Sequence, residues 1–580
     1  MAQTLIPFSD EPISALIMSD GAQATLPLSS SPLLLSAERL RLVARRALKP
    51  KMALGQIFTP VAVSHMMASL LENTEGSIHL LDAGAGTGML FAAAVSALCA
   101  QDSKPTAIHI TAFEVDREVA AYARQTLTAC EHACHEVGVA FSGEIIEQDF
   151  LEAALALSGR DLFSGQAFPS FTHTILNPPY FKISARSRER QLLRLVGIEA
   201  TNVYTGFLGL AMRLLAPDGQ LIAITPRSFC NGAYFTNFRR TLLVNMTKRH
   251  IHLFGSRLAI FSDEAKQQET LQETLIFSAR RRLAGESLQG NGSVCITTSD
   301  GPDDPPLVRD VAYEQVVRPD DPQHFIHISA SGTGAQTTRL MSRFACTLGD
   351  LGLSVSTGRV VDFRARPFLR ADAPSDAVPL IYPTHLLGGS VVWPKSDSKK
   401  SNALLVAPAT QTLLVPNETY LLVKRFTSKE ERRRLVATVY EGKKLPGAWV
   451  GFENHLNYFH QHGHGIEIGL ARGLGAFLNS TLVDTYFRQF SGHTQVNATD
   501  LRSLRYPTRE QLIRLGERMG DRCLSQTQLD ALVNEELPEM ADNTSLDPVA
   551  VKQHLDEALA ILKELEFPRT QQNERSALTL

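Results

Sequence analysis

The sequence contains no long uninterrupted apolar segment, and no run approaches the roughly 18 residues that a membrane-spanning helix needs. Its first residues, MAQTLIPFSDEP, are polar and acidic, without the basic and then apolar order of a secretory signal. Seven cysteines are scattered over 580 residues, an odd number that fits a reducing cytosol better than a disulfide framework. We therefore predict a cytoplasmic protein that does not contact a membrane.

Clustered metal ligands are scarce as well. Cys130 and Cys134 are the only closely spaced cysteines, and no second pair completes a zinc motif. Several histidines fall near one another without a supporting cysteine or carboxylate frame: His455, His460, His462 and His464. The sequence therefore predicts no metal site.

The chain also lacks a large charge of either sign, since its formal net charge is −3. Residues 341–510 nevertheless contain 21 Lys and Arg against 14 Asp and Glu, a net charge of +7 that leaves −10 for the remainder. A basic region in an otherwise acidic protein indicates a surface that faces a polyanion. The alternative is that these side chains are simply solvated.

Short apolar segments alternate with helical patterns between residues 50 and 280. The candidate strands are HLLDAG, IHITAFEVD, GEIIEQD, HTILNPP, QLIAITP, RHIHLFG and ETLIFSAR. Such alternation predicts an α/β fold, with a mostly parallel sheet covered by helices on both faces. Ligands of such sheets bind at the carboxyl ends of the strands.

At this length the chain should form several domains. Gly, Asp, Pro and Ser are concentrated after residue 285, and Asp547-Pro548 is a typical helix start. The division we predict is an N-terminal arm and helix (1–45), the α/β domain (46–285), a linker or insertion (286–339), a mixed α+β domain (340–525) and an acidic helical tail (526–580).

A glycine-rich turn follows the first strand, in the segment LLDAGAGTGML at residues 80–90. Asp82, Gly84, Gly86 and Gly88 give the spacing D-x-G-x-G-x-G, which differs from the dinucleotide spacing G-x-G-x-x-G. The glycines let the backbone turn tightly and approach a ligand closely. The leading carboxylate disfavours a pyrophosphate and suits a ligand with an ammonium or sulfonium charge, and S-adenosylmethionine (SAM) has both.

Two further strands end in acidic residues. Glu114 follows the second strand, where a carboxylate can accept hydrogen bonds from both ribose hydroxyls. Asp149-Phe150 follows the third, where a carboxylate can accept from an adenine amino group and a Phe can cover the ring. Each acid alone could be a helix cap or a surface residue, but three successive strand ends together predict a SAM site.

The fourth strand ends in Asn177-Pro178-Pro179-Tyr180. Glycine loop, second-strand acid, Asp-Phe and Asn-Pro-Pro-Tyr, in this order, resemble the SAM-dependent amino methyltransferases, and most of all the gamma-class DNA N6-adenine methyltransferases (TaqI-like and Eco57I-like). The resemblance implies their Rossmann-like catalytic fold over 46–285, SAM as cofactor and a target-recognition domain at 340–525. It also implies that Thr59 and Pro60, in LGQIFTP, lie near the methionine part of SAM.

An exocyclic adenine amine is a poor nucleophile, because its lone pair is delocalised into the ring. Two acceptors aimed at its N–H groups, the Asn177 side-chain oxygen and the Pro178 carbonyl, draw the nitrogen toward tetrahedral geometry. The prolines fix that carbonyl, and Tyr180 is expected to stack on the base, which must leave the duplex. By the resemblance, Phe261 covers the other face of the base; the alternative is a core Phe.

The basic region contains segments similar to the recognition segments of PstI-like and Eco57I-like modification enzymes. Arginine and glutamine can pair with two atoms of guanine and adenine respectively, whereas any single residue here can equally be a phosphate contact or a surface residue. The candidate DNA contacts are Arg364, Arg366, Lys424, Arg425, His493, Gln495 and Asn497.

The sequence thus predicts a site-specific DNA adenine N6-methyltransferase that acts on double-stranded DNA. The resemblance implies the modification enzyme of a type II restriction–modification system in the bacterial cytoplasm, with a possible separate restriction endonuclease as partner. The alternatives are a methyltransferase of RNA or of a protein amide nitrogen, and a non-catalytic DNA-specificity subunit. The complete set of SAM and Asn-Pro-Pro-Tyr residues argues against an inert subunit.

Overall fold

The structure is a computed structural model. It describes residues 31–47, 57–155, 170–255, 273–286, 292–318, 321, 323–328, 334–372, 374–396, 399–427, 431–491 and 495–537. Within these ranges, no helix combines the length and the apolar character needed to cross a membrane.

A nine-stranded sheet organises the N-terminal half. Its strands are β1 (Ser77–Ala83), β2 (Ala107–Phe113), β3 (Ala140–Ile146), β4 (Phe171–Leu176), β5 (Leu215–Pro226), β6 (Met246–Phe254), β7 (Thr274–Arg281), β8 (Ser293–Ser299) and β9 (Leu307–Ala312). The helices are α1 (Pro32–Ala47), α2 (Val61–Ala68), α3 (Met89–Cys99), α4 (Arg117–Glu136), α5 (Arg188–Leu195), α6 (Val203–Leu214), α7 (Thr236–Asn245) and α8 (Tyr313–Val316).

The strand order is β3-β2-β1-β4-β5-β7-β6-β8-β9. Strands β1 to β5 are parallel to one another, and β7 runs antiparallel between β5 and β6. All seven strands predicted from the sequence are present, and the prediction of a mostly parallel sheet is confirmed.

Both faces of the sheet are covered, because successive side chains of its central strands point into two separate cores. Leu80 packs with α1 to α4 on one face, whereas Leu81 packs with α6 and α7 on the other. In β4, Ile175 packs in the same core as Leu80, and Leu176 packs in the same core as Leu81. The carboxyl ends of β1 to β4 consequently meet at one edge, between two layers of helices.

The predicted linker at 286–339 differs from the structure. Strand β8 pairs in parallel with β6, and β9 pairs antiparallel with β8. Val294, Ile296 and Val316 are fully buried in the core shared with α6 and α7. The residues rich in Gly, Asp and Pro flank these strands rather than replace them, so their composition concealed short alternating apolar segments.

The C-terminal half is α+β. Its strands are β10 (Ser354–Thr357), β11 (Leu369–Arg370), β12 (Ala377–Ile381), β13 (Leu386–Leu387), β14 (Ser390–Val391), β15 (Ala403–Leu405), β16 (Leu414–Pro416), β17 (Tyr420–Lys424), β18 (Ala437–Tyr440), β19 (Trp449–Phe452) and β20 (Leu456–His460). Its helices are α9 (Gly334–Met341), α10 (Asp362–Ala365), α11 (Ile468–Leu478), α12 (Thr481–Phe490), α13 (Ala498–Ser503), α14 (Arg509–Met519) and α15 (Gln526–Glu536). Two main sheets, β10-β20-β17-β18 and β11-β15-β12-β19-β16, form this half together with the hairpin β13-β14.

Helices α11, α12, α14 and α15 share one core with the four-stranded sheet. Leu529, Leu532 and Val533 of α15 belong to that core, so the start of the predicted tail is a part of the folded half. The helix predicted after Asp547-Pro548 lies outside the described residues.

Arg227 ties the two halves together just beyond β5. Its Nη1 donates to Glu273 Oε2 at 2.5 Å, and its Nη2 donates to the carbonyl oxygen of Gln489 at 2.5 Å. Gln489 lies in the last turn of α12, where helix carbonyls lack partners within the helix. A buried guanidinium therefore joins the carboxyl edge of the large sheet to a helix end in the other half.

Candidate active site

A cavity of about 480 Å³ opens at the carboxyl ends of β1 to β4. The residues that line it and that the sequence predicted are Gly84, Gly86, Glu114, Asp149, Phe150, Asn177 and Pro179. Four motifs separated by up to about a hundred residues in the chain thus meet in one place, as the parallel strand order requires.

The glycine turn is fixed against the end of β2. The backbone N–H groups of Gly84 and Ala85 both donate to the carbonyl oxygen of Phe113, at 2.9 and 2.8 Å. Gly88 precedes α3 with φ of +87°, and a Cβ at this position would lie 2.2 Å from the Phe91 ring. Glycine is therefore required where the chain turns from β1 into α3.

Asp82 lies beneath this turn and is fully buried. Neither of its carboxylate oxygens has a hydrogen-bond partner among the described residues. Burial raises the pKa of Asp82 to about 8. The Phe91 amide opposes that shift without completing a hydrogen bond of normal geometry, and the Glu114 carboxylate adds to it. A cationic or hydrogen-bond-donating ligand would stabilise the ionised form of a carboxyl group buried in this way.

Glu114 is placed by the junction of β2 and α4. Asp116 begins α4 as its N-cap, accepting from the Glu118 amide at 3.1 Å, so the strand ends just before it. The Glu114 carboxylate accepts from the amides of Gly86 and Asp116, both at 2.9 Å. Burial raises the pKa of Glu114, and these two amide bonds counteract the shift.

Asp149 and Phe150 occupy the third strand end. Asp149 Oδ1 accepts from the Glu152 amide at 3.2 Å, and burial raises the pKa of Asp149 against the opposing effect of nearby amides. The Phe150 ring lies 5.3 Å from that of Phe113 and 5.1 Å from that of Phe207. These three rings form an apolar wall of the cavity next to the carboxylates.

The Asn177 side chain is held at both of its ends. Its Nδ2 donates to Thr59 Oγ1 at 3.1 Å, and its Oδ1 lies 2.6 Å from the hydroxyl of Tyr180, which donates to it. The same hydroxyl is 3.0 Å from the Ile224 carbonyl oxygen in β5. The amide is thus oriented before any substrate binds.

Thr59 and Pro60 come from the segment before the glycine turn. Pro60 is the N-cap residue of α2, and Thr59 is buried against Asn177. The predicted upstream segment therefore reaches the same cavity, and its contact is with the Asn-Pro-Pro-Tyr motif.

Tyr180 has a second role that differs from the stacking predicted for it. Its ring makes an edge-on contact with Tyr204, at 6.2 Å and an interplanar angle of 90°, while its hydroxyl fixes the Asn177 amide. The Tyr180 hydroxyl therefore positions the Asn177 amide, whereas the sequence predicted a role only for the Tyr180 ring.

Among the further residues that line the cavity and that were not predicted as site residues are Phe58, Lys182 and Glu189. Phe58 lies 3.5 Å from the place of a Cβ on Gly86, and it directly precedes the predicted Thr59-Pro60 pair. Lys182 comes two residues after Tyr180. Phe58 and Lys182 could therefore have been predicted from their closeness in sequence to these motifs.

The candidate DNA contacts of the C-terminal half lie on adjoining segments. Arg425 Nη1 donates to the Asn454 carbonyl at 3.1 Å, and its Nη2 lies 3.4 Å from Gln495 Oε1. The Asn454 amide donates to the Val360 carbonyl at 2.8 Å, which brings the segment of Arg364 alongside. Loops distant in sequence therefore form one surface.

Three of these candidates have structural partners as well. Arg425 and Gln495 form a hydrogen bond with each other. Asn497 is the N-cap residue of α13, and its backbone N–H donates to Asp500 Oδ2 at 2.8 Å. Arg364 and Arg366 are exposed, and Lys424 is half-buried at the end of β17. His493 and Phe261 lie outside the described residues.

No group of three or more His, Cys, Asp and Glu side chains in the described ranges is arranged to hold a metal ion. His455 Nδ1 bonds Glu453 Oε1 at 2.5 Å, and His460 Nε2 bonds Ser356 Oγ at 2.9 Å. These histidines have protein partners at the two ends of β20.

Comparison with known proteins identifies the family. Residues 99–261 match the model of the Eco57I restriction-modification methylases. The chain is 43% identical to the type II methyltransferase M.PstI of Providencia stuartii over 83% of this chain and 93% of that protein. It is 39% identical to the type II methyltransferase M.BsuBI of Bacillus subtilis over 86% of this chain and 97% of that protein.

Among solved structures, the type IIG restriction endonuclease BpuSI is similar over 87% of this chain and 68% of that chain, with a TM-score of 0.39 and 13% identity. The fold predicted from the sequence, the Rossmann-like sheet of SAM-dependent methyltransferases, is confirmed. Two relatives near 40% identity, matched over almost their entire lengths, establish the relationship. The chain therefore belongs to the Eco57I-type restriction–modification methylases and is a DNA methyltransferase of the type II class.

Proposed function

We propose that this protein transfers the methyl group of SAM to the exocyclic N6 of an adenine that has left the stack of a specific double-stranded DNA site. The observation that carries the proposal is the Asn177 amide, held between Thr59 and Tyr180 at the mouth of a cavity that also contains Glu114 and Asp149. The family relationship supports DNA as the substrate.

The cavity has the size of a small-molecule site, and its hydrogen-bond acceptors suit SAM. Glu114 would accept from the ribose hydroxyls and Asp149 from the adenine amino group, with Phe150 beside the adenine ring. Asp82, which is buried and has no hydrogen-bond partner among the residues that the structure describes, would balance positive charge in the methionine part. When bound, SAM supplies an electrophilic methyl group on a sulfonium.

The Asn177 oxygen can serve the target amine while remaining bonded to Tyr180, because an amide oxygen has two lone pairs. The second acceptor is the Pro178 carbonyl, whose direction is fixed by the ring that follows it. Acceptors held in place before the reaction spend no free energy on reorganisation during it. No strong base is needed before the attack, since the amine is neutral, and one of its two protons is lost to solvent after N6 has gained the methyl group.

The test is base-resolved methylation mapping of DNA from cells that express the wild type, Asn177→Ala or the control Asn245→Ala, whose side chain is exposed at the end of α7. We expect N6-methyladenine at one short motif in the wild type and the control, and none with Asn177→Ala. N4-methylcytosine, or modification that persists in Asn177→Ala, would contradict the proposal.

Binding of SAM to the purified proteins distinguishes the alternatives. Folded wild type that binds SAM but leaves DNA unmodified would indicate an RNA or protein amide substrate, or a specificity subunit. Modification at one motif would define the target site, and the partner that we propose is a separate endonuclease of a type II restriction–modification system that cuts the same motif when it is unmodified.

A further inference from the structure

Tyr234 is an aromatic side chain that is largely exposed to solvent. It lies in the 3-10 turn Ala233–Phe235, which follows the carboxyl end of β5, and 83% of it is exposed. The next residue, Phe235, is only 6% exposed. A singly exposed aromatic ring is not unusual in itself, so the significance of Tyr234 depends on what surrounds it.

The turn lies beside the mouth of the cavity. Thr201 Oγ1 donates to the Tyr234 carbonyl oxygen at 3.5 Å. The next residue, Asn202, pairs with Lys182, and Val203 donates its amide to the Phe181 carbonyl at 2.9 Å. Lys182, Phe181 and Val203 all line the cavity. Tyr234 is therefore adjacent to the rim through which a substrate base must pass.

The backbone that presents Tyr234 is rigidly anchored. The Phe235 ring packs 5.7 Å from Tyr204, which in turn contacts Tyr180. The buried guanidinium of Arg239 donates to the Gly232 carbonyl at 2.7 Å. An exposed ring on an anchored turn loses little conformational entropy when it binds.

Exposed cations occur on the segments near this rim, where Glu189 is also exposed. Lys182, Arg186 and Arg240 are exposed on the segments that flank the Asn-Pro-Pro-Tyr motif and on α7 beside the turn. Cations around an aromatic ring form the combination that binds nucleic acid, because phosphates meet the charges while bases stack on the ring. The patch thus favours DNA over a protein partner.

We propose that Tyr234 stacks on the DNA bases next to the target adenine and holds open the space that the adenine leaves. This inference rests on the proposed function, and it gives the extruded state a stabilising contact outside the cavity. Tyr234 is then a positioning residue for extrusion rather than a group that touches the reacting atoms.

The test uses a duplex of the mapped motif with 2-aminopurine in place of the target adenine, since the fluorescence of this base rises when it unstacks. Tyr234→Ala should lower the fluorescence on binding and reduce methylation of the ordinary duplex about tenfold, a factor that equals about 1.4 kcal/mol. Tyr234→Phe keeps the ring and should stay within about twofold of the wild type. Val137→Ala, an exposed apolar residue at the opposite edge of the sheet, is the control.

A second duplex, with an abasic site opposite the target adenine, distinguishes a defect in extrusion of the adenine from other causes of slower methylation. The adenine leaves such a duplex at low cost, so Tyr234→Ala should methylate it nearly as fast as the wild type does. Equal rates of Tyr234→Ala and wild type on the paired duplex would overturn the inference, as would an equal loss on both duplexes. If wild type methylates no adenine, the proposed function itself fails.

Discussion

At the scale of single residues, the site depends on an amide whose orientation is decided before substrate arrives. The Asn177 side chain bonds Thr59 at its nitrogen and Tyr180 at its oxygen. In the structure the amide nitrogen faces the Thr59 hydroxyl, and the amide oxygen faces the Tyr180 hydroxyl and accepts from it.

The Tyr180 hydroxyl can be tested apart from its ring. Tyr180→Phe removes the donor to Asn177 and leaves an aromatic face, so kcat should fall about three- to tenfold, the worth of one hydrogen bond. Binding of SAM should not change. Tyr180→Ala should lose considerably more. If Tyr180→Phe retained the full rate constant of methyl transfer in single-turnover experiments, the hydroxyl would have no part in orienting the amide.

Asp82 should make SAM binding depend on pH. Its pKa of about 8 means that it is protonated in the free protein at neutral pH, whereas a sulfonium or ammonium ligand favours the carboxylate. Binding should therefore release a proton below pH 8 and weaken as the pH falls. Calorimetry in two buffers of different ionisation enthalpy measures that proton, and Asp82→Asn should abolish it.

The same carboxyl group affects stability in a defined direction. Its pKa is higher in the folded protein than in the unfolded chain, so its contribution is fully present below about pH 4. That contribution is lost progressively as the pH rises toward 8. Thermal unfolding from pH 4 to 9 should thus show a smaller decline for Asp82→Asn than for the wild type, and equal declines would contradict the assignment.

At the scale of elements, α11 and α14 pack with their backbones in direct contact. A Cβ on Gly473 would lie 1.7 Å from the Leu512 carbonyl oxygen, and one on Gly516 would lie 1.8 Å from the Gly469 carbonyl oxygen. The two backbones touch directly, which no side chain permits.

Gly473→Ala should therefore force the two helices apart and lower the free energy of unfolding by at least about 2 kcal/mol. Gly469→Ala in the same helix is the matched control, because its Cβ would meet its nearest neighbour at an ordinary 3.6 Å. The control should be neutral or gain up to about 1 kcal/mol from helix propensity. Denaturant unfolding of both variants measures the difference, and similar stabilities would show that the helices do not pack so closely.

The sequence predicted the elements whose apolar residues recur in a clear pattern, and it missed the elements without such a pattern. Asp82, Glu114 and Asp149 could be placed together because parallel strands bring their carboxyl ends to one edge. The contact of Tyr180 with the Ile224 carbonyl depends on side-chain geometry between residues 44 positions apart, for which no sequence pattern exists. Strands β8 and β9 were hidden by the glycine and proline around them.

At the scale of the whole molecule, the basic surface should determine how DNA binding responds to salt. Arg364 and Arg366 are exposed on the segment that lies alongside Arg425, and they do not line the cavity. If both contact phosphates, the Arg364→Ala/Arg366→Ala double variant should lower the slope of log K against log salt by about two.

The measurement is a titration of labelled duplex by the protein at several salt concentrations. Arg124→Ala on α4, where the side chain is partly exposed and pairs with Glu147, serves as the control and should leave the slope unchanged. A double variant with the slope of the wild type would assign the two arginines to base readout or to solvent.

The tie through Arg227 has a consequence for how new specificities arise. In the C-terminal half this guanidinium contacts only carbonyl oxygens of the backbone, among the contacts described for it, so it requires a helix end at that place and no particular side chain. If the loops of this half recognise DNA, as we propose, their residues can therefore change without loss of the Arg227 contacts, provided that α12 is kept. Chimaeras that keep α12 of the host and take the segments on both of its sides, residues 334–480 and 491–537, from a relative should inherit the target site of the donor and the catalytic rate of the host.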